Sequence, residues 1–266
     1  MKRHARQAIG ALALATFASP LCAQESADEV AKKLSNPVAA MISIPLQYNA
    51  DFGYANDGSK HTLNIQPVIP ASISEDWNLI TRVIVPVIYQ DDVFGESGSQ
   101  FGFGNVTPTF FFSPKQPTSG GVTWGLGPVL LLPTASDDLL GVDEWGAGPS
   151  VLVLRQSAHW TVGMLANHIW SFGGSANDPD ISNTFLQPFF ARQLPGGRTL
   201  TFNSESTYDW ENQQWTAPVN VVYSKVTRIG GQTMSFAGGV RGYLDSPRGG
   251  PDWGVRLVVT FLVPEK

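Results

Sequence analysis

The chain contains a single cysteine, Cys22, at the end of its N-terminal apolar stretch. Cleavage after Ala23 would leave a mature chain without cysteine, which excludes a disulfide framework and a thiolate metal site. The mature chain must therefore be stable without covalent cross-links.

The N-terminus has the pattern of a secretory signal. Lys2, Arg3 and Arg6 precede an apolar stretch, residues 8–18, that is too short to span a bilayer. Small residues around Ala23 offer a cleavage site. Residues 1–23 are therefore predicted to be a signal peptide that directs the chain across the inner membrane of a bacterium.

Long apolar runs are also missing after Ala23, since residues 129–132 end at Pro133 and residues 83–85 end at Pro86. This excludes a transmembrane helix, which needs about 20 apolar residues. Charged residues make up only 15 % of the chain, and the formal net charge is −5. The signal removes three basic residues and no acidic one, so the mature chain is more acidic still and nucleic acid is not an expected partner.

Glycine (27), proline (19) and aromatic residues (11 %) are abundant instead, which is typical of many strands joined by turns. From Ile42 to Phe52, every even position is apolar or aromatic and the odd positions are mostly polar. This alternation recurs about every twenty residues and predicts about twelve strands, each long enough to cross a bilayer when tilted. The predicted strands are 42–52, 61–70, 77–90, 101–112, 122–133, 147–156, 159–171, 184–193, 199–208, 215–227, 233–244 and 253–263. The predicted fold class is all-β: an antiparallel transmembrane β-barrel with a short N-terminal helical segment.

The helical candidate is residues 24–36, with Val30 and Leu34 on one face and Asn36-Pro37 at its end. Three parts are therefore expected along the chain. Residues 1–23 form the signal peptide, residues 24–38 an N-terminal helical segment, and residues 39–266 the barrel. The helical segment is expected either to plug the bore or to extend into the periplasm.

Acidic residues collect in the odd-numbered connections between the predicted strands, whereas the even-numbered ones are mostly shorter. Bacterial barrels have long outer loops and short periplasmic turns, so the acidic loops are expected to face outward. The pairs Asp91-Asp92, Asp137-Asp138 and Asp143-Glu144 lack the spacing of a calcium loop. Solvated loops are expected there, with weak cation bridging to lipopolysaccharide phosphates as the alternative, and no dedicated metal site is predicted.

Proline lies inside eight predicted strands, where each one removes a backbone donor from the ladder. Our hypothesis is that bulges, or partner carbonyls hydrated from the lumen, accommodate them. The positions are Pro45, Pro67, Pro86, Pro108, Pro128, Pro149, Pro188 and Pro218.

Several charged and amide side chains have the parity of the inward face. They would either line a permeation path or pair with one another and fill the interior of a small barrel, and both alternatives stay open. The lumen-lining candidates are Asp51, Asn64, Gln66, Arg82, Asn203, Glu205, Arg241 and Arg256.

Four short motifs carry a resemblance to a known family. They are Asn36-Pro37-Val38-Ala39-Ala40 running into Ile44-Pro45-Leu46-Gln47, Leu63-Asn64-Ile65-Gln66-Pro67-Val68, Gly125-Leu126-Gly127-Pro128-Val129 with Pro133-Thr134, and Val258-Val259-Thr260-Phe261 before Pro264. Across the mature chain the sequence resembles outer-membrane proteins labelled neuromedin-U-like, or MetA-pathway of phenol degradation. The resemblance implies a transporter-like barrel associated with aromatic-compound catabolism, and hence small-molecule uptake. The last residues, 264–266, depart from the terminal aromatic residue that is common among outer-membrane barrels.

A barrel hydrolase is the rival with chemistry, because it needs a serine, a histidine and an orienting polar group. Residues 167–171 supply these types, but alternation places His168 on the lipid-facing side with Trp170 and Ser171 on the opposite side. His61 and His159 have no nearby serine and acid in a motif, and no helix follows the Gly102–Gly104 stretch as a nucleotide loop would require. No catalytic residue and no cofactor are predicted.

The predicted function is an outer-membrane channel or transporter for passive passage of small molecules, aromatic or hydrophobic ones among them. Its expected partners are outer-membrane lipid, lipopolysaccharide, the barrel-assembly machinery and a small solute. The alternatives are a structural or surface-binding barrel with a filled lumen and, less favoured, an outer-membrane lipid hydrolase. A soluble β-sandwich or lipocalin-like barrel is the architectural rival.

Overall fold

A computed structural model describes residues 25–174 and 180–263. The predicted signal peptide with Cys22 and the cleavage site, and the C-terminal residues 264–266, lie outside the described residues. The described part contains α1 (Ala27–Leu34), a 3-10 turn (Ala55–Asp57) and sixteen strand segments. The segments are β1 Ile42–Phe52, β2 Ser59–Ile65, β3 Val68–Ser72, β4 Trp77–Asp91, β5 Ser99–Phe103, β6 Thr107–Pro114, β7 Val122–Leu131, β8 Glu144–Gln156, β9 Trp160–Gly174, β10 Ser182–Leu194, β11 Arg198–Ser204, β12 Ser206–Asp209, β13 Gln214–Thr216, β14 Pro218–Ile229, β15 Gln232–Tyr243 and β16 Trp253–Val263.

The segments form one closed antiparallel barrel. Four pairs of consecutive segments (β2 with β3, β5 with β6, β11 with β12, β13 with β14) each make one barrel strand, so the described residues form twelve barrel strands. The first and last strands pair along their whole length, from Ile42 opposite Val263 to Phe52 opposite Trp253. Closure removes the free sheet edges that would otherwise need a partner. The predicted fold class is confirmed, and the predicted strands differ from the observed ones mainly at their ends.

The barrel is apolar outside and polar inside. Large apolar side chains such as Phe101 (75 % exposed) and Val240 (61 % exposed) lie on the outer face, while polar side chains such as Asn220 (0 %) and Arg256 (3 %) are buried within. Water-soluble proteins have the opposite distribution, whereas membrane-spanning barrels present an apolar band to lipid. None of the helices in the described ranges is long and apolar enough to cross a membrane.

Aromatic side chains gather near the two ends of this outer surface. At one end, Phe52 packs against Trp253 with ring centroids 4.9 Å apart, and at the other Trp77 meets Trp124 edge-on at 5.7 Å. Such girdles are typical of barrels at the two membrane–water interfaces.

A bulge accompanies Pro86, because Val87 lies opposite Phe103 but Ile84 opposite Thr107, so the facing chain has one extra residue there. Bulges do not explain the other prolines, such as Pro67. The register is the same on both sides of Pro67, where Ile65 lies opposite Val85 and Val68 opposite Arg82. A second register shift, between Trp145 and Gly146, involves no proline.

Prolines instead keep their place in the ladder as acceptors. Gln66 donates its backbone N–H to the Pro45 carbonyl (2.9 Å), and Val83 donates to the Pro67 carbonyl (3.1 Å). Each of these prolines therefore loses one donor without disturbing the register of the strands.

Helix α1 is shorter than the predicted 24–36 and begins with a capping box. The Glu29 backbone N–H donates to Ser26 Oγ (3.2 Å), and the Ser26 backbone N–H donates to Glu29 Oε2 (2.9 Å). These hydrogen bonds from Ser26 hold the pKa of the Glu29 carboxyl below its ordinary value. Such a cap satisfies two of the backbone donors that a helix leaves free at its start, which fixes the helix in place after a non-helical entry.

Candidate functional site in the barrel interior

Helix α1 lies inside the end of the barrel that carries the short connections, here called the turn end; the opposite end is the loop end. Gln156 donates from Nε2 to the Lys32 carbonyl (2.9 Å), and Gln193 donates to Ser35 Oγ (3.1 Å). The backbone N–H of Gly197, in the turn after β10, donates to Asp28 Oδ1. These partners lie on β8, on β10 and in the turn after β10, so the hydrogen bonds hold the helix against one part of the barrel wall.

The residues after the helix continue through the interior. Val38 is buried in an apolar cluster with Ile80, Phe111, Leu152 and Leu165, which come from β4, β6, β8 and β9. On the other side of the bore, Val30 and Ala31 of the helix pack against Val226 and Leu262. We call residues 25–41 the N-terminal segment. It fills much of the bore at the turn end.

A cavity of about 310 Å³ remains between the N-terminal segment and one side of the barrel wall. Pro37 and Met41 of the segment line it, and so do wall residues with apolar side chains, among them Val68, Phe189 and Val258. Gln66, Arg82, Asn203 and Arg256 supply polar lining. The cavity is therefore mixed in character, with apolar walls around a small number of polar groups.

The first charged cluster of the interior centres on Arg256. Its guanidinium donates to both carboxylate oxygens of Glu205, at 2.8 and 2.6 Å, and its Nε donates to Asn49 Oδ1 at 2.7 Å. Bidentate pairing of this kind is among the strong hydrogen-bonded arrangements in proteins. Arg256 is thereby satisfied on three sides by groups from different strands.

Arg82 lies close to this cluster without a carboxylate of its own. One of its nitrogens donates to Gln66 Oε1 at 2.8 Å. Among the described residues it forms no salt bridge, although it is near enough to Glu205 for an electrostatic interaction.

A second charged cluster lies one inward position closer to the loop end. Arg241 Nε is 3.3 Å from Asp51 Oδ1, an ion pair without hydrogen-bond geometry, and Lys60 lies opposite Asp51 on the neighbouring strand. The guanidinium of Arg241 also sits 5.3 Å from the centre of the Tyr243 ring. In the adjoining loop, burial and the negative charge of Asp51 raise the pKa of the Tyr54 hydroxyl.

The eight lumen-lining candidates all lie on the inward face. Arg82 and Gln66 form one contact, Arg256 and Glu205 another, and Arg241 and Asp51 a third. Asn203 donates weakly to Glu205 at 3.5 Å, whereas Asn64 faces inward between Gln47 and Pro86.

Sequence reasoning missed several interior residues, among them Asn49, Lys60 and Gln187. Asn49 has the same parity as Asp51 and could have been found by alternation alone. Lys60 falls just outside the predicted second strand, and Gln187 lies within a predicted strand and donates to Glu205 at 3.4 Å.

The connection between β7 and β8, residues 132–143, folds onto the inner side of β5. Asn105 donates from Nδ2 to the carbonyls of Leu132 and Val142, both at 2.8 Å, and Leu140 is buried. A Cβ on Gly102 would lie only 1.9 Å from Ser136 Oγ, so glycine is required for this close approach. This connection therefore narrows the bore at the loop end.

The outer face carries the histidine of the hydrolase hypothesis. His168 Nδ1 is 2.7 Å from Thr184 Oγ1, which also accepts from Trp210 Nε1 at 2.8 Å, and Nε2 is 3.5 Å from Ser182 Oγ. Ser171 Oγ accepts from the Ile181 backbone N–H instead. The serine near His168 is thus Ser182, a residue brought in from the next strand.

The described residues contain no group of three or more His, Cys, Asp or Glu side chains placed to hold a metal ion. Among the acid pairs, Asp137 accepts from the Leu139 backbone N–H at 2.9 Å, which orders its own loop.

Closure of the ring, the apolar outer surface and the charged interior together define an outer-membrane β-barrel fold. No family profile matches the sequence, and no curated protein matches it. The structure is similar to an outer membrane channel from Pseudomonas putida F1, with a TM-score of 0.65, 12% identity and coverage of 84% of this chain and 96% of that one. It is also similar to outer membrane phospholipase A from Escherichia coli, with a TM-score of 0.50, 12% identity and coverage of 90% and 98%. At such identities the likeness is one of fold.

Proposed function

We propose that this protein is a channel of the bacterial outer membrane for passive passage of small molecules, aromatic or apolar ones among them, with no catalytic activity of its own. The observation that carries the proposal is the mixed cavity inside a closed barrel, beside two clusters of charged residues. A barrel whose interior served only for stability would have its charges paired throughout, and Arg82 is not paired. Two observations support aromatic or apolar solutes: the apolar side chains of the cavity wall, and the resemblance of the sequence to neuromedin-U-like and MetA-pathway proteins.

The N-terminal segment gives this channel a closed state. Residues 25–41 are held by hydrogen bonds from Gln156 and Gln193 and by apolar contacts at Val30 and Val38. Solute passes when the segment shifts towards the periplasm, and the turn end is closed when it returns. The proposed localisation is the outer membrane, reached through a signal peptide. The proposed partners are the lipid and lipopolysaccharide around the barrel and the barrel-assembly machinery.

The channel proposal is tested with purified, refolded protein. We expect unit conductance in planar bilayers and flux of small neutral and anionic solutes from liposomes. Absence of both, in protein whose migration on gels is heat-modifiable and which is therefore folded, would refute it and favour the structural barrel with a filled lumen. Fractionation with the outer membrane tests the localisation separately.

A hydrolase is the second candidate because Ser182 Oγ lies 3.5 Å from His168 Nε2 on the outer face. A serine nucleophile needs a base that is itself oriented by a third group. The orienting partner here is the Thr184 hydroxyl, which carries no charge to stabilise an imidazolium. The arrangement therefore favours an interfacial histidine, anchored with Trp170 (ring centroids 4.0 Å apart) at the membrane surface.

A further inference from the structure

The charge balance of the two interior clusters is uneven. Their two carboxylates are matched by arginines, Glu205 by Arg256 and Asp51 by Arg241. The other two cations, Arg82 and Lys60, form no salt bridge within the described residues. The clusters therefore carry an excess of positive charge where the wall excludes most water, and electrostatic interactions are stronger in such surroundings than in bulk solvent.

Arg82 is the unpaired cation that lines the cavity. A guanidinium has five N–H donors in a planar fork, and the hydrogen bond to Gln66 accounts for only part of them. The remaining donors are available to a ligand on the cavity side. Planar, bidentate donors of this kind match the two oxygens of a carboxylate better than any neutral group.

The rest of the cavity wall suits an apolar body. Pro45, Val68, Phe189 and Val258 line it together with Arg82, and Gln47 and Asn203 add neutral amides but no negative charge. The volume of about 310 Å³ lies at the lower end of the range for small-molecule sites. A ligand with one ring or a short branched chain, and with one anionic end, therefore fits both the size and the chemistry.

We propose that this cavity is a binding subsite for small monocarboxylates with an apolar body, and that Arg82 holds their carboxylate. The inference rests on the proposed channel function, since it names the solute class of that same interior. It makes Arg82 a specificity-determining residue: anionic solutes dwell in the cavity, neutral analogues of the same shape bind more weakly, and cationic analogues are rejected by Arg82 and Arg256.

Binding is measured first, by equilibrium dialysis of the folded, detergent-solubilised protein against benzoate, benzamide and benzylammonium. We expect the parent protein to retain benzoate in preference to the other two probes. Arg82→Gln should weaken benzoate binding by about tenfold or more, because a charge-assisted pair is lost, and leave benzamide binding unchanged. The benzoate affinity of Arg82→Lys should lie between those of the parent and Arg82→Gln, because lysine keeps the positive charge but lacks the planar, bidentate guanidinium.

The matched control is Arg155→Gln, which removes the same charge from an exposed position on β8. It should bind benzoate as the parent does. Equal binding of benzoate by the parent and Arg82→Gln, or no preference of the parent for benzoate over benzamide, overturns the inference.

Conductance of the same preparations separates this inference from the channel proposal. A parent that conducts ions but does not retain benzoate refutes the subsite and leaves the channel standing. A parent that retains benzoate through Arg82 but neither conducts nor passes solute refutes the channel, and the cavity is then a binding site within a filled barrel.

Discussion

Deleting residues 24–38 should turn the cavity into a continuous bore. With strands about 4.8 Å apart and tilted by about 40°, twelve strands place the backbone about 12 Å from the barrel axis. Inward side chains occupy roughly 5 Å of that radius, which leaves an opening about 14 Å wide. An α-helix with its side chains is about 10–12 Å across, so even end-on it covers more than half of the opening. The free cross-section, and with it the unit conductance, should rise by at least about twofold on deletion.

A reversible variant tests the same reasoning without removing any residue. Ala27→Cys with Gly197→Cys pairs two positions whose Cβ atoms would lie 2.8 Å apart, so the helix must move outward by about 1 Å to reach the separation of about 3.8 Å in a disulfide. Oxidation should tie the helix to the turn after β10 and abolish solute flux, and a reductant should restore it. Ala27→Cys alone is the control and should not respond to oxidant.

Planar-bilayer recordings of the parent, the deletion and the double-cysteine protein give the decision. Unchanged conductance after deletion would refute the view that the N-terminal segment closes the bore. Full conductance of the oxidised double-cysteine protein would show that ions pass beside a fixed N-terminal segment. It would refute the proposal that movement of this segment opens and closes the bore.

The remaining predictions concern a loop, a cap and the outer face. Gly102→Ala should displace the 132–143 connection at a cost of about 1 kcal/mol or more, and this loop should then be cut faster by a protease while the barrel stays intact. The control is Gly173→Ala, whose Cβ would meet nothing within 4 Å and which should leave the cleavage rate unchanged. Equal cleavage rates in the two variants would contradict the packing of this loop against Gly102. The pKa of Glu29 is lowered in the folded state. The ionised carboxylate therefore stabilises the capped helix fully above the ordinary glutamate pKa of about 4.3, and this stabilisation is lost as the pH falls through the lowered pKa. Conductance should therefore rise on acidification below about pH 4. Glu29→Ala, which removes the acceptor for the Ser26 N–H, should raise it already at neutral pH. A pH-independent parent would count against this. Purified protein should show no esterase activity. An activity that is present in the parent and lost in both His168→Ala and Ser182→Ala would show instead that the protein is a hydrolase.

The strands could be predicted from the sequence because alternation and turn residues are local properties of the chain. The segment 42–52, with its polar odd positions, is observed with the bounds that the pattern predicts. Alternation also gives the parity of each inward residue, and so it placed Arg82, Glu205 and Arg256 on one side of the wall.

Contacts between distant strands could not be predicted in this way, because they depend on which strands are neighbours and in which register. The pairing of Arg256 with Glu205 joins residues 51 positions apart, and Gln156 reaches Lys32 across 124 positions. Ser182 comes next to His168 only through the β9–β10 register. The capping box of Ser26 and Glu29, by contrast, is a local pattern that was missed: a serine three residues before a glutamate.

The hydrogen bond from Arg256 to Asn49 has a consequence for assembly, since it joins residues 207 positions apart across the seam between β16 and β1. Neighbouring hairpins along the chain form from local contacts, but this seam forms only when the two ends of the sheet meet, and such contacts are slow to form. Until then the guanidinium lacks its amide partner and is best accommodated in water. The step that excludes water from the charged residue is therefore the same step that joins the two ends of the sheet, and a barrel arrested before it would keep a hydrated arginine at its open seam.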